Sequence, residues 1–156
     1  MPACNRQRRR LGYNPAMATT GVSQPEEMAV MQVLKDYYRA FSSLDLQKIL
    51  PFIHEPALLM APQGVVAAPT RTEVAAVIAP TLEGLRAKGY ARSELARPQV
   101  TMLSSASALV IGVAERFKTD GRPLENAGVT YLLQKTSAGW KIAVLILDDS
   151  GSAQRD

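Results

Sequence analysis

The sequence predicts an α+β fold in which two helices, a hairpin and a third helix precede a four-strand antiparallel meander. Near the N-terminus, apolar residues recur at spacings of three and four, which is typical of an amphipathic helix. After Gly89, four apolar segments follow one another with turn-forming residues between them. A doubly wound parallel sheet would need helices and strands to alternate along the chain, so this order favours an α+β protein.

The first helix is predicted over residues 24–43. Ser23 and Glu26 fit a capping box, in which the serine hydroxyl bonds the third helical amide and the glutamate reaches back to the cap. The apolar stripe of this helix consists of Val30, Leu34, Tyr37 and Phe41. We expect this stripe to face the core.

A second, shorter helix and a hairpin are predicted next. Asp45 can cap a helix over residues 46–53, which Pro51 should shorten or kink because proline cannot donate a helical hydrogen bond. Residues 57–61 and 64–67 then read as two short strands joined by a turn.

The third helix is predicted to begin at a second capping box, formed by Thr70 and Glu73. It should end before Gly89, and Pro80 is a potential break in its middle. The apolar face of this helix consists of Val74, Val77, Ile78, Leu82 and Leu85.

Four strands complete the predicted sheet. They are expected over residues 90–103, 106–118, 127–135 and 140–147. Pro98 interrupts the first of them, which indicates an edge position or a bulge. Turn-forming residues, among them Asp120 and Gly121, separate the last three strands and so predict an antiparallel meander.

The last strands are apolar on both faces. With strict alternation, one face of the final strand carries Trp140, Ile142, Val144 and Ile146. The other face is also largely apolar, whereas a sheet with one solvated face should alternate apolar and polar residues. No further helix is left to cover the second face, so we expect a second copy of the chain to cover it, in a homodimer formed through the sheet.

Composition and charge indicate one globular domain with a basic N-terminal segment. The 156 residues are 47% hydrophobic and 21% charged, and no apolar run approaches the roughly 18 residues of a membrane-spanning helix. The four arginines of residues 1–16 account for the whole net charge of +4. We therefore expect a disordered basic tail over 1–22, with Met17 as an alternative start, a domain over 23–149 and a flexible C-terminus over 150–156.

Residue usage excludes several classes of function. Because Cys4 is the only cysteine, no intrachain disulfide can form, and we expect a reducing, cytoplasmic location. One histidine and one cysteine do not predict a metal site, and no glycine-rich loop predicts a bound cofactor. The domain lacks interleaved basic and aromatic residues, so nucleic acid is not an expected partner, nor is a membrane. Binding of the tail to an anionic surface is a separate hypothesis, which salt-dependent retention after deletion of residues 1–16 would test.

Three segments resemble the nuclear-transport-factor-2-like superfamily, which includes ketosteroid isomerase, scytalone dehydratase and polyketide-cyclase-like proteins. The matching segments are residues 34–45, residues 49–57 and residues 128–142, which end in Gly139-Trp-Lys-Ile. The resemblance spans roughly residues 25–149 and depends mainly on the order of these segments. It implies a cone-shaped barrel, in which a curved mixed, mainly antiparallel sheet wraps around three N-terminal helices and leaves an apolar pocket at its open end.

The resemblance is less specific about chemistry. An ungapped alignment with ketosteroid isomerase places Tyr37 at the position of that enzyme's oxyanion-stabilising tyrosine. The same register places Ala61 at the position of its general-base aspartate, and alanine cannot carry a proton. Many polyketide-cyclase-like relatives have histidines on the last strand, where this chain has Val144 and Ile146. The resemblance therefore implies a pocket more strongly than it implies an isomerase reaction.

Three residues are candidates for acid–base catalysis. Tyr37 could donate a hydrogen bond to a ligand oxygen, with plain core packing as the alternative. His54 belongs to the residue type that titrates near neutral pH, although its place before the first strand also fits a surface or capping role. Asp148, at the end of the last strand, could reach the pocket as a base or remain a solvated turn residue.

Other residues are candidates for ligand binding. Tyr38 could donate to a ligand beside Tyr37. Glu115 and Arg116 are neighbours on one strand, so one of them points inward, where a charge needs a partner or a polar ligand. The alternative is that both lie at the exposed end of a long strand. We select Glu115 as the candidate of this pair. The bulky or apolar candidates for the pocket wall are Phe52, Met60, Tyr131, Trp140, Val144 and Ile146.

The sequence therefore predicts a protein that binds a small, mostly apolar molecule in the cone pocket. If the protein is also an enzyme, an isomerase, dehydratase or cyclase reaction is expected, because proton chemistry of this kind needs no cofactor. The alternative is a non-catalytic dimerisation or partner-binding module. An open cavity with convergent polar groups would favour the first interpretation, and a cone filled by side chains would favour the second.

Overall fold

The elements follow one another in the predicted order, with two helices, a hairpin, a third helix and a four-strand meander. The computed structural model describes residues 23–149, so the predicted tail and C-terminus lie outside the described residues. The helices are α1 (Ser23–Ser42), α2 (Leu46–Ile49) and α3 (Arg71–Ala87), with a 3-10 turn at Leu50–Phe52. The strands are β1 (Ile53–Ala61), β2 (Gly64–Ala68), β3 (Tyr90–Met102), β4 (Ser107–Lys118), β5 (Pro123–Thr136) and β6 (Gly139–Asp148).

The short second helix is capped and broken where the sequence predicted. The Asp45 carboxylate accepts a hydrogen bond from the Gln47 backbone amide and so caps α2. Pro51 lies in the 3-10 turn that follows, and the chain is extended from Ile53 onward. Because proline cannot donate a backbone hydrogen bond, α2 ends after four residues rather than continuing to residue 53.

Helix α3 continues through a proline in its interior. Its capping box is present, with the Thr70 amide donating to Glu73 Oε2 at 2.9 Å. Pro80 lies inside the helix, which continues to Ala87. The apolar face that is buried on both sides of the proline consists of Val74, Ile78, Leu82 and Leu85. Burial of this apolar face stabilises the helix and so offsets the hydrogen bond that Pro80, which has no backbone N–H, cannot donate.

The sheet is mixed and mainly antiparallel, which confirms the predicted fold class. Its strand order is β2-β1-β6-β5-β4-β3, and only the β1–β6 pair is parallel. The sheet is open, with β2 and β3 as its edges. Helix α1 packs against β3 and β6, and α3 packs against β1, β2 and β3, so the core lies between the helices and one face of the sheet.

Two strands begin earlier than predicted. Strand β1 starts at Ile53 rather than residue 57, because Ile53 already pairs with Ile142 before an irregular stretch of the strand. Strand β5 starts at Pro123 rather than residue 127, because its first residues extend the hairpin with β4.

Strand β3 carries the bulge that its proline predicts. Its pairing with β4 shifts between Ala96 and Gln99, and Arg97 within this stretch has a φ of 50°. Gly112 of β4 lies against this bulge, where an added Cβ would be 2.8 Å from Leu95 Cδ1 and 3.0 Å from the Ala96 carbonyl oxygen. Only glycine therefore fits at position 112 without a displacement of its neighbours.

Strand β6 contains a bulge that the sequence did not reveal. Ile142 pairs with Leu133, whereas Val144 pairs with the preceding residue of β5, Leu132. Ala143 is therefore an extra residue without a counterpart on β5. Because successive strand residues point to opposite faces, one extra residue reverses the facing of the remainder of the strand.

The bulge overturns the strict alternation predicted for the last strand. Leu145 pairs with the buried Tyr131, so Leu145 and Leu147 face the interior. Val144 and Ile146 therefore lie on the opposite face of the sheet and are not the wall residues that the sequence suggested. Within residues 23–149, no helix combines the length and the apolar character needed to cross a lipid bilayer.

Candidate functional site

A cavity lies between the helices and the inner face of the sheet. Its volume of about 410 Å³ falls within the range of small-molecule binding sites. Both α1 and α3 contribute to its walls, as do all six strands. Apolar wall residues from these elements include Phe41, Leu59, Ile78, Val129, Leu145 and Leu147. The cavity can therefore surround the apolar body of a small ligand.

A tyrosine cluster forms one side of the cavity. Tyr37 and Tyr38 come from α1, and Tyr131 comes from β5. The hydroxyls of Tyr38 and Tyr131 lie 2.7 Å apart and form a buried hydrogen bond. The Tyr37 and Tyr131 rings meet edge to face, with 6.0 Å between their centroids. No hydrogen bond joins the Tyr37 hydroxyl to another residue of the described range, which leaves this donor available to a ligand.

These tyrosines remain protonated at neutral pH. Burial raises the pKa of Tyr38 to about 12, although the hydrogen bond with Tyr131 opposes this effect. Burial also raises the pKa of Tyr37 and of Tyr131 far above the ordinary tyrosine value, and neighbouring tyrosines add to the effect. The cluster can therefore donate hydrogen bonds to a ligand oxygen, but it supplies no general base.

Arg116 is the site residue that the sequence analysis passed over. It lines the cavity from β4, and its side chain is only 12% exposed. Its Nη1 donates to Glu125 Oε1 at 2.7 Å, and the guanidinium carbon lies 5.8 Å from the centre of the Phe41 ring. The Nε atom is buried and has no hydrogen-bond partner among the described residues. This is unusual, because nearly all buried hydrogen-bond donors in folded proteins have an acceptor.

Glu115 points away from the cavity, which corrects the choice made from the sequence. On β4, Arg116 pairs with Glu125, while Glu115 pairs with Asn126. Cross-strand partners share a face, so Arg116 and Glu125 lie together on the inner side and Glu115 lies on the outer side. The register of the hairpin around Asp120 was a usable signal, because it places opposite charges at positions 116 and 125.

Glu125 keeps its negative charge in this position. Burial raises the pKa of its carboxyl, but the hydrogen bond and charge of Arg116, together with Lys88, outweigh burial and lower it overall. Lys88 Nζ lies 3.3 Å from Glu125 Oε2, so each carboxylate oxygen has a cationic partner.

The structure places the other predicted residues as follows. Of the candidates, those that line the cavity are Tyr37, Tyr38, Met60 and Tyr131. Those that do not line it are Phe52, His54, Glu115, Trp140, Val144, Ile146 and Asp148. The cavity thus brings the aromatic candidates of α1 and β5 together but separates them from the candidate acid–base residues other than Tyr37.

Three of the residues that do not line the cavity have other contacts in the structure. His54 is in β1, and its Nδ1 lies 2.9 Å from the Pro56 carbonyl oxygen. Phe52, in the 3-10 turn, packs edge to face on Tyr37, with 6.3 Å between the ring centroids. Asp148 pairs with Gly128 at the end of β6.

Trp140 is buried at the other end of the same strand. Its indole nitrogen donates to Glu26 Oε2 at 3.0 Å, and Lys135 Nζ contacts Glu26 Oε1 at 2.6 Å. These two hydrogen bonds lower the pKa of the Glu26 carboxyl. Trp140 therefore connects the β5–β6 hairpin to the start of α1 rather than contacting a ligand.

The cavity offers hydrogen-bond donors and one cation. Among its described lining residues, there is no histidine and no carboxylate. Over residues 23–149, no three side chains of histidine, cysteine, aspartate or glutamate lie close enough to hold a metal ion. The arrangement can therefore bind and polarise an oxygen atom of a ligand, using Arg116 and the tyrosine hydroxyls.

Solved structures support the fold described here. An NTF2-like protein of unknown function from Pseudomonas putida KT2440 has a TM-score of 0.69 at 14% identity, covering 82% of this chain and 89% of its own. An NTF2-like protein with a cystatin-like fold from Novosphingobium aromaticivorans has a TM-score of 0.67 at 18% identity, covering 84% and 87%. A protein of unknown function with a cystatin-like fold from Nostoc punctiforme has a TM-score of 0.65 at 10% identity, covering 80% and 91%.

Sequence comparison identifies the family. No curated protein sequence matches the chain significantly. The model of one family, described as NTF2-like protein (DUF6841), matches residues 26–150, which include α1 from Glu26 onward, the whole sheet and every cavity residue named above. The chain therefore belongs to this DUF6841 family of NTF2-like, that is nuclear-transport-factor-2-like, proteins.

Proposed function

We propose that this protein binds a small, mostly apolar molecule in the cavity between its helices and sheet. The observation that carries the proposal is a cavity of about 410 Å³ whose apolar walls surround a few convergent hydrogen-bond donors. Tyr37 and Arg116 supply these donors, and neither has all of its donor capacity used by described residues. A cavity kept open at this size is expected of a binding site rather than of a module whose core serves only packing.

The same geometry favours binding over acid–base catalysis. His54 and Asp148 were candidate bases, but neither lines the cavity. Tyr37 does line it, but its raised pKa suits it to donate a hydrogen bond rather than to accept a proton. An isomerase, dehydratase or cyclase reaction would therefore need a base that the ligand itself or water supplies.

Binding can be tested with N-phenyl-1-naphthylamine, a neutral apolar dye that fluoresces in apolar surroundings. We expect saturable fluorescence enhancement with the unaltered protein. Ala114 lines the cavity, so Ala114→Phe should fill part of it and weaken dye binding by about tenfold or more. Ala138 lies in the exposed β5–β6 turn, so Ala138→Phe is the matched control and should bind the dye normally.

Two results would contradict the proposal. One is the absence of saturable enhancement with the unaltered protein. The other is equal dye binding by the Ala114→Phe and Ala138→Phe variants, with circular dichroism showing that both are folded. If Ala114→Phe does not fold, Ala114→Val makes a smaller intrusion and should give a smaller loss of affinity in the same direction.

We also propose that the protein forms a homodimer through the outer face of its sheet. The bulge in β6 turns Val144 and Ile146 outward, where they neighbour Leu132 and Thr130 of β5. Ile111 of β4 belongs to the same face and is 46% exposed. An apolar face that spans three adjacent strands suits burial against a second copy.

A charge placed on this face should prevent dimer formation. We expect a dimeric mass for the unaltered protein in light scattering after size-exclusion chromatography, and a monomeric mass for Ile111→Lys. Ala138→Lys adds the same charge on an exposed turn and should remain dimeric. A monomeric mass for the unaltered protein at micromolar concentration would rule out the dimer. The cytoplasm stays our proposed location, since Cys4 is the only cysteine.

A further inference from the structure

We propose that the ligand of this cavity carries a carboxylate and that Arg116 binds it. This inference rests on the proposed binding function and names the chemical class of its ligand. In the ion pair with Glu125, the guanidinium of Arg116 donates through Nη1 alone. The ligand is then a small acid with an apolar body, such as an aromatic or branched aliphatic monocarboxylic acid.

One edge of the Arg116 guanidinium is left without a hydrogen-bond partner among the described residues. The buried Nε atom has no hydrogen-bond partner among the described residues, and none of them accepts a hydrogen bond from Nη2. The Nε and Nη2 groups of arginine form a planar fork that matches the two oxygens of a carboxylate. Buried donors in folded proteins nearly always have a partner, so this free edge indicates an acceptor that binds there.

Charge also favours an acidic ligand. Arg116 is the only charged residue among the described residues that line the cavity. Its ion-pair partner Glu125 does not line the cavity and is shared with Lys88. On the adjacent strand β3, Arg92 and Glu94 pair with each other at 3.0 Å and add no net charge. A ligand with one negative charge would therefore meet a cation that no carboxylate of the cavity wall neutralises.

The composition of the cavity wall also favours one anionic group on an apolar body. Arg116 and Ser93 are direct cross-strand partners on β4 and β3, and the Ser93 hydroxyl already bonds Tyr90 at 2.6 Å. Much of the remaining wall is apolar and includes Leu145 and Leu147. A ligand with a single anionic group and an apolar body matches a mainly apolar wall that offers one cation.

The test compares two probes with one ring system, 2-naphthoate and the neutral 2-naphthylmethanol, by isothermal titration calorimetry. With the unaltered protein, we expect 2-naphthoate to bind about tenfold or more tightly than the alcohol. Arg116→Met should abolish this preference, because it should weaken naphthoate binding far more than it weakens alcohol binding. Arg116→Lys keeps the charge without the fork and should retain only part of the preference.

The control variant is Arg122→Met. Arg122 pairs with Asp120 in the β4–β5 turn and does not line the cavity. Its removal lowers the net charge by the same amount, so unchanged naphthoate binding shows that the effect of Arg116 is local. Circular dichroism shows whether each variant is folded. If Arg116→Met is not folded, the two probes on the unaltered protein test the preference for an acid, and Arg116→Lys tests the role of Arg116.

The outcomes separate this inference from the proposed function. If both probes bind equally to the unaltered protein, the cavity binds apolar molecules but the carboxylate inference is wrong. If neither probe binds, both the inference and the proposed function are wrong. If naphthoate is preferred and Arg116→Met keeps that preference, another cation recognises the acid and the role given to Arg116 is wrong.

Discussion

Replacement of Leu34 by alanine is expected to lower the free energy of unfolding by about 2–5 kcal/mol. Leu34 lies in the middle of α1, is 0% exposed and belongs to the core between the helices and the sheet. The substitution removes three buried carbons, and the surrounding side chains can close only part of the space left behind. Because whole domains are stable by about 5–15 kcal/mol, this single change can remove a large share of the total.

Urea denaturation followed by the fluorescence of Trp140 measures the effect. Met28→Ala is the matched control, because Met28 lies on the same helix and is 74% exposed. It should change the stability by no more than about 0.5 kcal/mol. All samples need the same protein concentration, since dimer formation would add to the apparent stability. Equal losses for the two variants would show that Leu34 does not pack in the core as described.

Alanine at two different glycine positions is expected to change stability in opposite directions. At position 112 the new Cβ would lie 2.8 Å from Leu95 Cδ1 and 3.0 Å from the Ala96 carbonyl oxygen. The leucine can rotate, but the carbonyl belongs to the bulge in β3 and cannot move without disturbing it. Gly112→Ala should therefore destabilise the protein by about 1–3 kcal/mol.

Gly84 gives the contrasting result. It lies inside α3, and an added Cβ would meet no atom within 4 Å. Alanine favours a helix by about 0.5–1 kcal/mol relative to glycine, so Gly84→Ala should stabilise the protein by up to that amount. Thermal and urea denaturation of both variants test the pair. A stabilising Gly112→Ala would mean that β3 and β4 do not approach each other as closely as described.

Local chemistry in the sequence was sufficient to predict the helices. The spacing of the apolar stripe placed α1 within one residue of its observed bounds. The carboxylate of Asp45 and the ring of Pro51 marked the beginning and the break of the second helix. Pro98 likewise indicated the irregular edge strand β3. In each case the determining interaction lies within a few residues of the signal, so it can be recognised from the sequence.

The cavity was harder to predict because its residues meet through strand pairing. Nothing in the sequence around Ala143 indicates that it is an extra residue of the strand. Because of this bulge, Leu145 rather than Val144 faces the interior. The choice between Glu115 and Arg116 likewise depended on strand register rather than on either side chain. Tyr37 could be predicted as a cavity residue only through the family resemblance, since an aromatic stripe on a helix is equally typical of plain core packing.

The position of β6 has a consequence for synthesis of the chain. Within the sheet, this strand lies between β1 and β5 and joins the β1–β2 hairpin to the β3–β4–β5 meander. A nascent chain that stops before residue 139 would expose two incomplete strand groups with unpaired edges on the ribosome. Completion of the sheet must therefore await translation of almost the whole domain, and until then these edges are open to pairing with other chains.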